Sequence, residues 1–383
     1  MRTDRPDNPA VVDAAAELVA AYVHVPFCRR LCPYCDFAVQ VGGDTDRYVT
    51  ALLAEIASAE PFSRPLDAVF VGGGTPTSLP PRRLAEVVEQ LASRFGLAPG
   101  AEVSIEANPE DVDAGVAAGL RTAGFNRISL GVQSLDSSVL RSLGRSHGPE
   151  EAVAALGVAR RIFPSVNADL IFGTPGDATW IESVRGVLAS DVDHLSVYAL
   201  TVERGTALSR AVAAGAAAPD PDEQADCYQA ATAAAEAAGL VRYETSNFAR
   251  PGRACVYNLI TWAQGEYAAF GNGAHRHRDG ERSWNIRRVD RYEERVFAGE
   301  SPVSGREHLT GWNREVERVL LGLRRAAGVP AGSAGSALLA SPAGERLVAA
   351  GVIAADGDRV RVTRPLLGDE VARELLALEP IEC

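Results

Sequence analysis

The chain has 383 residues, of which 46% are hydrophobic, 23% charged and 6% aromatic. That mixture excludes a disordered chain, a collagen and a small disulfide scaffold, and at roughly 100–200 residues per domain it allows two or three domains. The formal charge of −12 repels phosphate backbones and weighs against a nucleic-acid partner.

No apolar run reaches about 18 residues, so no membrane span is expected. Val11 to Val25 is the most apolar early stretch, but Asp13 and Glu17 interrupt it and no basic start leads into it. It reads as a helix, within residues 1–20, running into a strand of a cytoplasmic protein rather than as a signal peptide.

From about residue 20, β-rich runs at 21–25, 67–71, 102–107, 127–132, 166–172 and 194–200 alternate with helical patterns. Val49, Leu52, Leu53 and Ile56 fall at i, i+3, i+4, i+7, and Leu84, Val87, Val88 and Leu91 repeat the spacing. Asp44-Thr45, Pro80-Pro81, Pro149-Glu150 and Asp177 supply helix starts. Six β–α pairs predict an α/β domain over 21–250 with a parallel sheet, either an open barrel or a doubly wound sheet. A helix near 221–238 and a strand at 241–247 end the alternation.

Residues 251–308 are rich in Gly and Arg and are expected to form an irregular capping segment. A second domain is expected over 309–383, where Val316, Val319, Leu320 and Leu323 again mark a helix. After Gly-Ser punctuation at 331–341 comes a helix near 343–350. Val352-Ile353 and Val360-Arg361-Val362 then flank Asp356-Gly357, a hairpin turn signal. Three helices and a hairpin predict a small winged-helix-like domain. Its hairpin carries as many acids as bases, which suits a docking or structural module better than a DNA reader.

Three of the six cysteines crowd together: Cys28, Cys32 and Cys35 form C-x₃-C-x₂-C directly after the first predicted strand, while Cys227, Cys255 and Cys383 are scattered. Three thiolates on one loop can hold three irons of a [4Fe–4S] cluster and leave the fourth iron open. The alternative is zinc, which normally takes four protein ligands in more widely spaced pairs. No fourth Cys or His closely follows Cys35, although His24 precedes Cys28 by four residues.

Tyr22-Val-His-Val-Pro-Phe-Cys28-x₃-Cys32-Pro-Tyr-Cys35-Asp-Phe37 resembles the opening of the radical S-adenosylmethionine (SAM) proteins. Within them it is similar to the branch of oxygen-independent coproporphyrinogen III oxidases and HemW-type haem chaperones. The resemblance runs from Tyr22 to Trp262 and then weakens. It implies a partial (β/α)₆ barrel, and a cluster whose open iron chelates the amino and carboxylate groups of SAM. One electron from that cluster would then break a sulfonium carbon–sulfur bond.

The same resemblance implies a set of SAM contacts. Gly73, Gly74 and Thr75 lie in a Gly72-Gly-Gly-Thr-Pro76 segment that lets backbone approach the methionyl group. Glu106 in Ser104-Ile-Glu-Ala-Asn108, Gln133 in Gly131-Val-Gln-Ser134 and Asp169 in Asn167-Ala-Asp-Leu170 sit at strand ends, where barrel sites are built. Arg145 in Leu143-Gly-Arg-Ser-His147 would face the SAM carboxylate. Tyr22 and Phe37, on either side of the cysteines, complete the set.

Two functions compete. The oxidases carry a fourth cysteine two residues after the third ligand, where this chain has Phe37, the form found in the chaperones. The favoured expectation is therefore a protein that binds haem and delivers it to a client, served by an electron donor such as a flavodoxin or ferredoxin; oxidative decarboxylation of a porphyrinogen is the alternative. The chaperone motif His-Asn-x-x-Tyr-Trp is altered here to Tyr257-Asn258-Leu-Ile-Thr261-Trp262. Tyr257, Cys255 and His275 are the candidate haem ligands, a tyrosinate being a known ferric ligand. Arg276, Arg278, Arg282, Arg287 and Arg288 could meet porphyrin propionates, or simply answer neighbouring acids.

Overall fold

The computed structural model describes residues 7–379, which leaves Cys383 outside the described residues. Six strands carry the barrel: β1 (Val19–Val25), β2 (Leu66–Gly73), β3 (Leu97–Ala107), β4 (Arg127–Gln133), β5 (Ser165–Phe172) and β6 (His194–Ala199). Each pairs in parallel with the next. Their apolar runs are buried on both faces, because helices cover the outside and side chains fill the inside.

The chain is an α/β protein with a partial (β/α)₆ barrel, and the barrel does not close on itself. The free edge of β6 pairs antiparallel with β8 (Asn247–Ala249), which pairs with β7 (Val241–Arg242). The expected strand at 241–247 is split because the Glu244 carboxylate accepts from the Ser246 N–H at 2.7 Å and Asn247 Nδ2 at 2.6 Å. That folds the chain into a turn.

The free edge of β1 pairs in parallel with β9 (Glu266–Phe270). Beyond it, β10 (His275–Arg278), β11 (Glu281–Asn285) and β12 (Val303–His308) add an antiparallel meander. Among the described residues this makes one twelve-stranded sheet. Residues 251–308 thus contain regular structure, including helices Val256–Trp262 and Val289–Phe297. Their strands are short and charge-rich, as edge strands that avoid pairing with other chains often are.

At the N-terminus a helix covers Pro9–Ala14 and a 3₁₀ turn Ala15–Glu17. Val11, Val12 and Ala15 pack against Tyr243, Ala249 and Leu259. The C-terminal part has helices Gly311–Gly322, Gly332–Ala340, Pro342–Ala349 and Gly368–Leu376. They surround a three-stranded sheet of Val329–Pro330, Arg359–Val362 and Ile353–Asp356. No helix among the described residues is long and apolar enough to cross a membrane.

Candidate functional site

The carboxyl ends of β1–β5 open into one cavity of about 680 Å³. Cys28, Cys32 and Cys35 line it, and so do Tyr22, Phe37, Gly73, Gly74, Thr75, Glu106, Gln133, Arg145 and Asp169. Phe37 stands at the mouth, 67% exposed.

The cysteine loop is pinned at both ends and at its tip. Phe27–Cys28 pairs in parallel with Gln40–Val41, so the loop leaves and returns at one place. The Cys35 N–H donates to the Cys32 carbonyl at 3.2 Å, and the Leu208 N–H donates to the Pro33 carbonyl at 2.8 Å. Beneath the loop, the Gly74 N–H donates to the Val25 carbonyl and the Thr75 N–H to the Phe27 carbonyl, both at 2.8 Å.

These contacts give the glycines a structural reason of their own, beside the expected approach to a ligand. A Cβ on Gly73, whose φ is +110°, would sit 2.4 Å from the His24 ring. A Cβ on Gly74 would sit 2.9 Å from the backbone of Val25 to Phe27. The glycines let the end of β2 close onto the end of β1.

Donors reach all three sulfurs, the Phe37 backbone N–H serving Cys35. Thr75 Oγ1 donates to Cys28 Sγ at 3.8 Å and Arg145 Nη1 to Cys32 Sγ at 3.7 Å. Arg145 also donates to the Gly131 carbonyl at 3.0 Å and to Asn108 Oδ1, while Asn108 Nδ2 donates to Thr75 Oγ1 at 3.1 Å. Asn108 therefore couples the guanidinium to the threonine, a role the sequence motif contained but did not announce.

Burial pushes the Cys28 and Cys35 thiols up. Thiolates there need a positive partner, and iron with a nearby guanidinium supplies one, so the donor set fits an anionic cluster. Among the described residues no three Cys, His, Asp or Glu side chains converge where a single ion would sit. A four-iron cluster asks for no such point, since each thiolate binds a different iron.

The cavity wall is polar and ordered. Glu106 Oε2 accepts from the Gly73 N–H at 3.0 Å. Ser129 Oγ donates to Asp169 Oδ2 at 2.8 Å, and Asn167 Nδ2 donates to Asp169 Oδ1 at 2.7 Å. Burial, and then the neighbouring Asp169, raise Glu106 to about 7; burial also raises Asp169. Gln133 holds φ +64° where the β4–β5 register shifts, a backbone strain that recurs at binding sites.

Tyr22 is oriented by His24, which the motif reading did not assign. His24 Nε2 faces the Ala38 carbonyl at 3.0 Å and so carries the proton; Nδ1 then accepts from the Tyr22 hydroxyl at 3.0 Å. Burial lowers His24 to about 4, which keeps the ring neutral. His24 shares the face of β1 with Tyr22, and that period-2 spacing was the available signal.

The three haem candidates do not converge. Tyr257 lines the cavity, stacked on Phe70 and Tyr22 with centroids 5.2 and 5.9 Å away. Burial pushes its phenol well up, away from the tyrosinate a ferric iron needs. Cys255 is fully buried at the start of the helix Val256–Trp262, its thiol raised to about 12 by burial. His275 is exposed on β10, outside the cavity. Most of the arginine stretch answers acids: Arg282 meets Glu307 and Glu317, Arg287 meets Asp36, and Arg288 meets Asp290.

Comparison with known proteins follows this geometry. The family model of the Radical SAM superfamily matches residues 22–182. A Mycobacterium tuberculosis protein named heme chaperone HemW is 41% identical over 96% of this chain and 97% of its own length. The Bacillus subtilis protein of that name is 35% identical over 81% of this chain and 84% of its own. The solved structure of coproporphyrinogen III oxidase (HemN) from Escherichia coli matches with a TM-score of 0.79. At 24% identity, covering 96% of this chain and 93% of that one, it is a likeness of fold.

Proposed function

Because the chain belongs to the radical SAM superfamily, and within it to the family of the HemW haem chaperones, we propose that it binds haem and passes it to a client protein. The observation that carries this reading is similarity at 41% identity along nearly the whole length of a relative that bears that name. Phe37, where the oxidases have a further cysteine, supports it over porphyrinogen decarboxylation.

Cys28, Cys32 and Cys35 would hold a [4Fe–4S] cluster and the cavity beside them SAM. Bound together, these groups supply an electron and a sulfonium whose carbon–sulfur bond that electron can break. The rest is work for this chain's own residues. Arg145, which donates to Cys32, would set a fixed positive charge beside the cluster and toward the carboxylate of SAM. Glu106 and Asp169, both lining the cavity, would offer negative charge to the sulfonium and hydrogen-bond acceptors to the ribose of SAM. Tyr22, held by His24, closes one wall with Phe70 and Tyr257 and keeps water from it. An acidic one-electron donor, a flavodoxin or ferredoxin, would complete the system.

The test is a haem titration of anaerobically reconstituted protein, followed by Soret absorbance after the cluster has been verified. Saturable binding near one haem per chain is expected. Absence of saturable binding would discard the chaperone reading.

A further inference from the structure

Behind the Asp169 carboxylate stands a row of polar side chains that solvent hardly reaches. Asn167 on β5, His194 on β6 and Tyr243 just after β7 are each no more than 1% exposed. Burying such groups is costly unless each donor finds an acceptor. Here the partners run in one line: Tyr243 Oη lies 2.8 Å from His194 Nε2, His194 Nδ1 lies 2.6 Å from Asn167 Oδ1, and Asn167 Nδ2 lies 2.7 Å from Asp169 Oδ1.

The direction of each bond follows from its ends. An ionised carboxylate only accepts, so the nitrogen of the Asn167 amide must face Asp169 and the oxygen must face His194. His194 Nδ1 then donates, and in a neutral ring Nε2 is left to accept from the Tyr243 hydroxyl. Burial, and then the Arg127 guanidinium, lower His194 well below its ordinary value, which keeps the ring neutral. The Cys255 N–H donates to the Tyr243 hydroxyl oxygen at 3.4 Å and fixes the far end. Every donor in the row therefore points toward Asp169, and bonds aligned in this way strengthen one another.

The row ends in the cavity wall. Ser129 Oγ accepts from Asn167 Nδ2 at 2.6 Å and donates to Asp169 Oδ2 at 2.8 Å, and Ser196 supplies a further donor. Both carboxylate oxygens are gripped, yet a carboxylate offers about four acceptor sites, so it keeps a lone pair for a ligand in the cavity. The two ends of an amide have nearly the same shape. What tells them apart at Asn167 is His194, whose Nδ1–H tolerates only the oxygen. A reversed amide would set its carbonyl against Asp169 and turn the carboxylate away.

We infer that His194, acting through Asn167, is a positioning residue for the ligand of Asp169: it holds that carboxylate in the orientation that receives the adjacent hydroxyls of the SAM ribose. The inference rests on the reading of this cavity as a SAM site and deepens it.

The experiment measures the equilibrium affinity of the full-length, cluster-loaded protein for SAM and for an analogue lacking both ribose hydroxyls. It compares wild type, His194→Leu and His194→Asn. Asparagine places an amide nitrogen where Nδ1 stands and keeps the donor, whereas leucine fills the space without one. The wild type should prefer SAM by about tenfold or more, as hydrogen bonds to a charged acceptor would give. His194→Leu should weaken SAM about tenfold and leave the analogue within about twofold, a selective loss that a misfolded variant would not give. His194→Asn should keep the wild-type preference. A preference retained in His194→Leu, a loss of both ligands alike in that variant, or a preference lost in His194→Asn would each overturn the inference and leave the SAM reading intact. A wild type that binds neither ligand would remove both.

Discussion

Glu106 shows how burial in the cavity wall sets the charge state of a single side chain. Its carboxylate faces the cavity rather than open solvent, accepts one backbone N–H from Gly73, and has Asp169 as an acidic neighbour. Raised from 4.5 to about 7, it binds a proton in the folded chain over a pH range where the unfolded chain has released it. Stability contributed by that proton is fully present below about 4.5 and is lost as the pH rises through 7. Glu106→Gln should therefore make the SAM-free protein more stable than wild type at pH 8, by roughly 1–2 kcal/mol once cavity water is allowed for, and indistinguishable near pH 4.5. Thermal melts at the two pH values measure this. A variant equally or less stable at pH 8 would mean the carboxylate is ionised without strain. The same variant should lose SAM affinity about tenfold, because a cationic sulfonium favours the ionised acid that glutamine cannot provide.

At the scale of elements, the close approach of the ends of β1 and β2 decides whether the cysteine loop is held. Gly74→Ala places a methyl 2.9 Å from the backbone of Val25, Pro26 and Phe27, atoms that cannot rotate away. Overpacking of this kind costs about 1–3 kcal/mol. The expected outcome is a melting temperature lower by several degrees and fewer irons per chain after reconstitution, measured by calorimetry and iron analysis. An unchanged iron content would show that the loop is held without this contact.

The same elements show what a sequence can display. Strands buried on both faces read as apolar runs, so β1 to β6 were visible from AYVHV to HLSVYAL. The residues at their ends were visible through motif resemblance. The meander β10–β12 was hidden: His275-Arg-His-Arg278 and Val303-Ser-Gly-Arg-Glu-His308 are polar on nearly every position and mimic loop composition. Asn108 was written in the sequence, but its role arises from distances between separate elements of the fold. No local pattern encodes those distances.

For the whole molecule, the question is how the C-terminal part is tied to the barrel. Asp13, in the N-terminal helix, meets Arg359 of the C-terminal sheet and lies 3.5 Å from Arg325. Arg325 is 3% exposed, donates to the Val12 carbonyl at 3.0 Å, and is lowered to about 10 by burial. Other ties join the same two parts: the Ala326 N–H donates to the Tyr243 carbonyl, Arg282 and Gln264 reach Glu317, and Arg324 lies 3.5 Å from the buried Glu244 and over the Trp262 ring. Removing the carboxylate leaves one buried and one half-buried guanidinium without their anion, and breaking such a pair costs more than making it gained. Asp13 is itself partly exposed, with 38% of its side chain accessible, so the loss is smaller than for a fully buried pair. Asp13→Ala should cost about 1–3 kcal/mol. It should also separate one melting transition into two, with the C-terminal part leaving first, because the barrel keeps its own core when that tie is cut. Adding Arg325→Met to Asp13→Ala should recover part of the loss by deleting the stranded charge. Calorimetry of the three proteins separates the outcomes: a single undisturbed transition in Asp13→Ala would mean that apolar contact, not this ion pair, joins the two parts.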